Sequence, residues 1–170
     1  MDNNRKFYSK TLLFGEYALI FGSPALSMPF EKRFGYLEFS KIPDAAATQS
    51  NNDLLAFLPY VERLNQQHVL SININVKHFE LEINKGLVFR SNIPIGYGLG
   101  SSGALVAAVY HRYGITANSN RSYTEEELKM LKADFALLES YFHGTSSGLD
   151  PLICYLQKAV FLDAERKITV

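Results

Sequence analysis

The sequence predicts one domain in which antiparallel strands are packed by helices, and three observations point there. Residues 69–76 alternate apolar Leu70, Ile72, Ile74 and Val76 with polar Ser71, Asn73 and Asn75, and Phe79, Leu81 and Ile83 repeat the alternation. That is the period of strands with one wet face. Leu128, Leu131, Phe135, Leu138 and Phe142 instead fall on one stripe of a long helix. Between these segments lies Pro94-Ile95-Gly96-Tyr97-Gly98-Leu99-Gly100-Ser101-Ser102-Gly103, followed at once by the apolar run of residues 104–110. Glycines that admit positive φ, set before a helix whose N-terminus carries roughly +0.5 charge, make an anion cradle. The plainer alternative is a flexible loop before a core helix.

The chain has 170 residues, enough for one domain with a real core, and its formal net charge is zero. Without a basic run, neither nucleic acid nor an anionic membrane is expected as the main partner. Cys154 is the single cysteine, so no disulfide framework forms, and its apolar flanks predict a buried thiol in a reducing cytoplasm. Residues 1–6 lack the apolar core of a signal peptide, and no apolar run approaches the length of about 20 residues that spans a bilayer.

In chain order, residues 7–14 read as extended structure, broken at Gly15-Glu16 and resumed over residues 17–21. Gly22-Ser23-Pro24 is a turn signal, and residues 25–30 and 34–39 read as two further short strands. The polar, small-residue stretch 41–52 is the best candidate for a long loop. Leu54, Leu55, Phe57, Leu58, Val61 and Leu64 then predict a helix over residues 53–67, kinked or restarted at Pro59. Residues 87–89 form another strand ahead of the glycine-rich loop. The helix after that loop, residues 99–113, is apolar nearly all round and so belongs in the centre of the domain. Thr124 and Glu127 make a capping box for the next helix, on which Glu139 lies at the margin of the buried stripe. His143-Gly144-Thr145-Ser146-Ser147-Gly148 ends it. A short helix over residues 149–156 and a last strand over 159–162 complete the chain.

Two motif matches fail on context. Gly98-Leu99-Gly100-Ser101-Ser102-Gly103 fits the dinucleotide pattern G-x-G-x-x-G, but the preceding strands read as hairpins, and no ribose-binding acid follows. Gly144-Thr145-Ser146-Ser147-Gly148 fits the nucleophile elbow, but a helix precedes it and all four histidines come before Ser146. Four scattered histidines and one cysteine also make a zinc site a poor reading.

Three segments, in this order, resemble the GHMP kinase superfamily. Ser9-Lys10-Thr11-Leu12-Leu13-Phe14-Gly15-Glu16-Tyr17, continuing to Gly22-Ser23-Pro24-Ala25, is similar to its N-terminal motif. Residues 94–103 are similar to its phosphate loop, P-x-x-x-G-L-G-S-S-A. Glu139 together with residues 143–150 is similar to the motif E-x-x-x-H-G-x-P-S-G-x-D in its mevalonate kinase branch. The resemblance implies an α+β fold: a mixed β-sheet with helices on one face and a left-handed βαβ crossover. It implies that Pro94, Gly96, Gly98, Leu99, Gly100, Ser101, Ser102 and Gly103 hold the phosphates of ATP, with Ser102 and Glu139 on Mg²⁺. It implies Asp150 as the base that accepts the proton of an acceptor hydroxyl, Lys10 beside it keeping it ionised, and Glu16 and Tyr17 near the acceptor.

Under that resemblance His143 is read as a helix-end histidine bonded to carbonyls. Gly103 stands where alanine is usual and Ser146 where proline is usual, both taken as minor departures. No counterpart of the family's C-terminal glycine-rich motif follows Asp150. Residues 1–170 are therefore expected to be the N-terminal ATP-binding lobe of a cytoplasmic kinase, its C-terminal lobe missing, with a homodimer left open. The implied function is phosphorylation of a small-molecule hydroxyl, mevalonate first, in isoprenoid precursor biosynthesis. The alternatives are a sugar or phosphomevalonate kinase, or a truncated non-catalytic nucleotide-binding fragment.

Overall fold

The computed structural model describes residues 5–15, 24–41, 44–115, 122–165 and 167–170. An antiparallel sheet is centred on the long strand β2 (Ala25–Phe39). Strand β1 (Phe7–Phe14) runs along one edge of β2, pairing from Phe7↔Gly35 to Phe14↔Leu26. The other edge is shared: β3 (Leu87–Ser91) pairs with residues 35–39, and β4 (Val160–Leu162) with residues 25–27. The two strands expected at 25–30 and 34–39 are thus one. A register shift between Tyr8 and Ser9 carries residues 31–33 past β1 without a partner there, so β2 continues across its polar middle. Every pairing among the described strands is antiparallel; the parallel pair that a βαβ crossover joins is not among them. A two-residue strand β5 (Ile168–Thr169) extends β4, unannounced by so short a sequence.

Two expected elements are corrected. The loop expected at 41–52 gives way to helix α1 (Ala45–Gln66), because Asp44 is an N-cap whose side chain accepts Ala47 N–H at 2.6 Å, ahead of three alanines. The helix runs on through Pro59, where only one N–H is forfeited and Leu54, Phe57, Leu58 and Val61 are buried around it. The hairpin expected over 69–83 is also overturned. Residues 69–75 are irregular apart from an isolated bridge between Ile74 and Gly114, and helix α2 (Val76–Asn84) follows. Phe79 and Ile83 fit periods of both 2 and 3.6. The Asn75 side chain decides by capping His78 N–H, which leaves Leu81 exposed while Phe79 and Ile83 are buried.

The remaining helices follow expectation. Helix α3 (Ser101–Tyr113) is buried over Ala104 and residues 106–110 and lies against the sheet. Helix α4 (Glu125–His143) begins in the Thr124/Glu127 capping box, with both reciprocal hydrogen bonds formed. Of its predicted stripe, Leu128, Leu131, Phe135 and Leu138 are buried and Phe142 is partly exposed at the helix end. Helix α5 (Leu149–Leu156) packs on α3 and α4, with Leu152, Ile153 and Cys154 inaccessible to solvent. No helix among the described residues is long and apolar enough to cross a membrane.

Candidate active site

Strand β1, the start of α3, the end of α4 and the start of α5 meet at one point. The segment after β3 turns through Gly96, Gly98 and Gly100, all with φ between 66° and 85°, before α3 begins at Ser101. A main chain that enters the left-handed region at alternate residues belongs to glycine, and the sequence supplies one at each such position. No side-chain hydrogen bond caps α3, so its first N–H groups stay available to an anion. Lys10 N–H donates to Leu99 C=O at 3.1 Å, which ties the loop to β1. Pro94 is half-buried at the start of the loop, while Ile95 and Tyr97 are 85% and 78% exposed.

Lys10 and Asp150 face each other beneath this loop, Nζ to Oδ1 at 3.2 Å, with side chains 13% and 30% exposed. A Cβ on Gly100 would lie 3.2 Å from Lys10 Cγ and 3.6 Å from Asp150 Oδ2, so the pair sits directly against the loop backbone. Burial pushes the Asp150 carboxyl above the usual carboxylate range, and Lys10, though close, only moderates this. Lys10 was expected to hold Asp150 ionised; its pull is present, but desolvation is the stronger influence. Cys154, inaccessible on α5, approaches Gly100 C=O with its sulfur at 3.9 Å, and burial drives its thiol well above the ordinary value. It is a core residue, as its flanks suggested.

Two residues beyond Gly100, Ser102 Oγ donates to Glu139 Oε1 at 2.9 Å. Glu139 is buried, which raises its carboxyl above the usual range against the pull of the Ser146 and Ser102 hydroxyls. The marginal position read from the helical stripe is therefore an interior one. A carboxylate and a hydroxyl side by side are hard oxygen donors of the kind magnesium accepts. No group of three or more His, Cys, Asp or Glu among the described residues could hold a metal. A cation at Glu139 and Ser102 would therefore draw most of its ligands from a substrate or water.

Sequence reasoning missed two members. His143 Nε2 is 3.0 Å from Ser102 Oγ, so the histidine reaches back into the cluster and is not a simple helix-end group. Ser146 Oγ donates to Glu139 Oε2 at 2.5 Å. Helical spacing carried the first signal, since His143 lies one turn beyond Glu139. Gly103 also matters more than expected. A Cβ there would lie 2.8 Å from Pro151 N and 3.1 Å from Asp150 Cβ, so glycine lets α3 and α5 close together just where Asp150 sits. Glu16 and Tyr17 lie outside the described residues.

The family model for the GHMP kinases N terminal domain matches residues 60–158, more than half of the chain. The chain belongs to the GHMP kinase family. Among similar proteins, the mevalonate kinase of Thermococcus sibiricus is 28% identical over 178 residues, covering 90% of this chain and 51% of that protein. The mevalonate kinase of Pyrococcus furiosus is 24% identical, covering 91% and 50%. The crystal structure of the Methanococcus jannaschii mevalonate kinase superposes with a TM-score of 0.55 at 18% identity, over 98% of this chain and 54% of that one. That of L. major mevalonate kinase in complex with R-mevalonate gives 0.54 at 17%, over 99% and 51%. The chain spans about half the length of the curated relatives it matches. The fold is that of the family's N-terminal domain.

Proposed function

We propose that this chain forms the ATP-binding half of a kinase that phosphorylates a small-molecule hydroxyl, with mevalonate as the acceptor. The observation that carries the reading is the Lys10–Asp150 pair set against Gly100, two residues before the Ser102 that bonds Glu139. Phosphoryl transfer needs positioned phosphates, a divalent cation and an oriented nucleophile. The N–H groups between Gly98 and Ser102 would receive the phosphates of ATP. Glu139 and Ser102 would hold Mg²⁺, which when bound supplies charge neutralisation on the phosphate oxygens.

Asp150 takes the acceptor's proton as that oxygen bonds the γ-phosphorus and the ADP oxygen departs. A carboxyl made more basic by burial suits that task better than an ordinary aspartate. Lys10 offsets the charge that Asp150 bears before transfer and the charge on the moving phosphoryl group after it. Support for mevalonate comes from relatives named mevalonate kinases and from the Glu139–Asp150 segment.

The reading is tested by titrating the folded chain with ATP, with and without Mg²⁺, in a calorimeter. Phosphate transfer to mevalonate is then followed by ³¹P NMR for this chain and for a version extended past Val170. Micromolar Mg²⁺-dependent ATP binding, with turnover of mevalonate, is the expected result. A folded chain that binds no nucleotide would sink the reading, and turnover of a sugar but not mevalonate would correct the acceptor.

A further inference from the structure

The turn between α4 and α5 contributes a contact that the phosphotransfer reading does not use. Ser146 Oγ donates to Glu139 Oε2 at 2.5 Å and accepts Gly148 N–H at 3.0 Å. A hydroxyl has one proton and two lone pairs, so it makes both bonds at once. Gly148 is the left-handed N-cap of α5, and Asp150 lies two residues further on. The start of α5 is pressed onto α4, since a Cβ on Gly148 would lie 2.1 Å from Lys132 C=O and 2.7 Å from Ala136 N. A shift at Gly148 must therefore move the first turn of α5, and Asp150 with it.

Glu139 is gripped from both ends of its carboxylate, by Ser102 from α3 on Oε1 and by Ser146 on Oε2. Ser147 does not share in this, because its hydroxyl accepts Leu149 N–H at 3.3 Å. The kinases this chain resembles usually carry proline at the position of Ser146, and proline has no hydroxyl. The link is thus a feature of this chain's own residues.

We propose that Ser146 is a positioning residue whose hydroxyl sets the plane of the Glu139 carboxylate and the start of α5 as one unit. It thereby fixes the separation of Glu139 and Asp150. The contact stands on geometry alone; its consequence for the cation rests on the phosphotransfer reading. One hydrogen bond to a charged group is worth about a factor of ten or more in a coupled equilibrium.

The test compares Ser146→Ala and Ser146→Thr in the full 170-residue chain. By NMR, without ligand, the alanine variant should exchange the Gly148 amide roughly tenfold faster and shift the Glu139 carboxyl carbon, and threonine should restore both. With ATP present, Mn²⁺ read by electron paramagnetic resonance should bind Ser146→Ala about tenfold more weakly. Metal-free ATP should bind the variant as it binds the wild type. Unchanged Gly148 exchange and Mn²⁺ affinity in Ser146→Ala would overturn the proposal, as would a threonine variant no better than alanine. A wild-type chain that takes no Mn²⁺–ATP would instead overturn the phosphotransfer reading, and the Gly148 exchange would then decide this proposal by itself.

Discussion

Two buried glutamates in this molecule have opposite surroundings. Glu82 on α2 receives Arg112 on both oxygens, at 2.6 and 2.8 Å, and the Tyr113 hydroxyl at 2.6 Å. Burial pushes its carboxyl up, but the Arg112 and Tyr113 hydrogen bonds prevail and hold it below the usual range. Glu139 on α4 receives two serine hydroxyls and, among the described residues, no cation within ion-pair distance, so burial prevails and its carboxyl rises. The first arrangement is complete within the chain and locks α2 to α3. The second holds a carboxylate with no ion pair among the described residues and only His143 to draw it down, beside a second raised carboxyl, Asp150. An acid so perturbed, placed against an anion cradle, is the pattern that the proposed phosphotransfer role calls for.

The contrast breaks first at Arg112. Arg112→Met should cost about 3 kcal/mol or more in a denaturant melt, because it strips the buried Glu82 of its guanidinium and leaves only the Tyr113 hydroxyl and His78 beside it, and should leave ATP binding intact. If ATP affinity fell in proportion to stability, the two regions would not be separable. Asp150→Asn should behave oppositely. Its kcat should fall at least about 100-fold while ATP still binds, and near-normal kcat would remove Asp150 from the role of base.

Gly103→Ala sharpens the geometry between these extremes. Its Cβ would press on Pro151 N and Asp150 Cβ, costing about 1–3 kcal/mol and displacing Asp150, so stability and kcat should fall together. The smallest effect is electrostatic. With its carboxyl raised, native Glu139 binds more protons than the unfolded chain, so its contribution to stability falls as pH rises through and above about 4.5. Glu139→Gln should match wild type near pH 4 and melt a few degrees higher at pH 7, by calorimetry. Glu82→Gln should show the reverse sign, matching wild type only at low pH and melting lower at pH 7, because the lowered Glu82 contributes stability that is lost as pH falls.

Much of this site could be read from the chain. Gly100, Ser102, Glu139, Lys10 and Asp150 fell together as the three motif segments implied, and the antiparallel pairing of β3 with β2 supports setting the dinucleotide pattern aside. The strands first invoked for that argument, at 69–76 and 79–83, do not exist. Short windows such as Phe79, Leu81 and Ile83 satisfy two periods, and only the cap at Asn75 separates them. His143 and Ser146 escaped because their partners are distant or depend on how a turn closes.

Local chemistry alone determined the elements whose signals are self-contained: the Thr124 capping box, the apolar α3, the glycines that permit the loop, and the short apolar α5. Each depends on residues within a turn or two, so adjacency in sequence is adjacency in space. Tertiary structure decided the rest. Whether Glu139 lies at a margin or in the interior, and whether Lys10 or burial governs Asp150, depends on four elements closing on one point. Desolvation is set by what packs from elsewhere in the chain, and no local pattern records it.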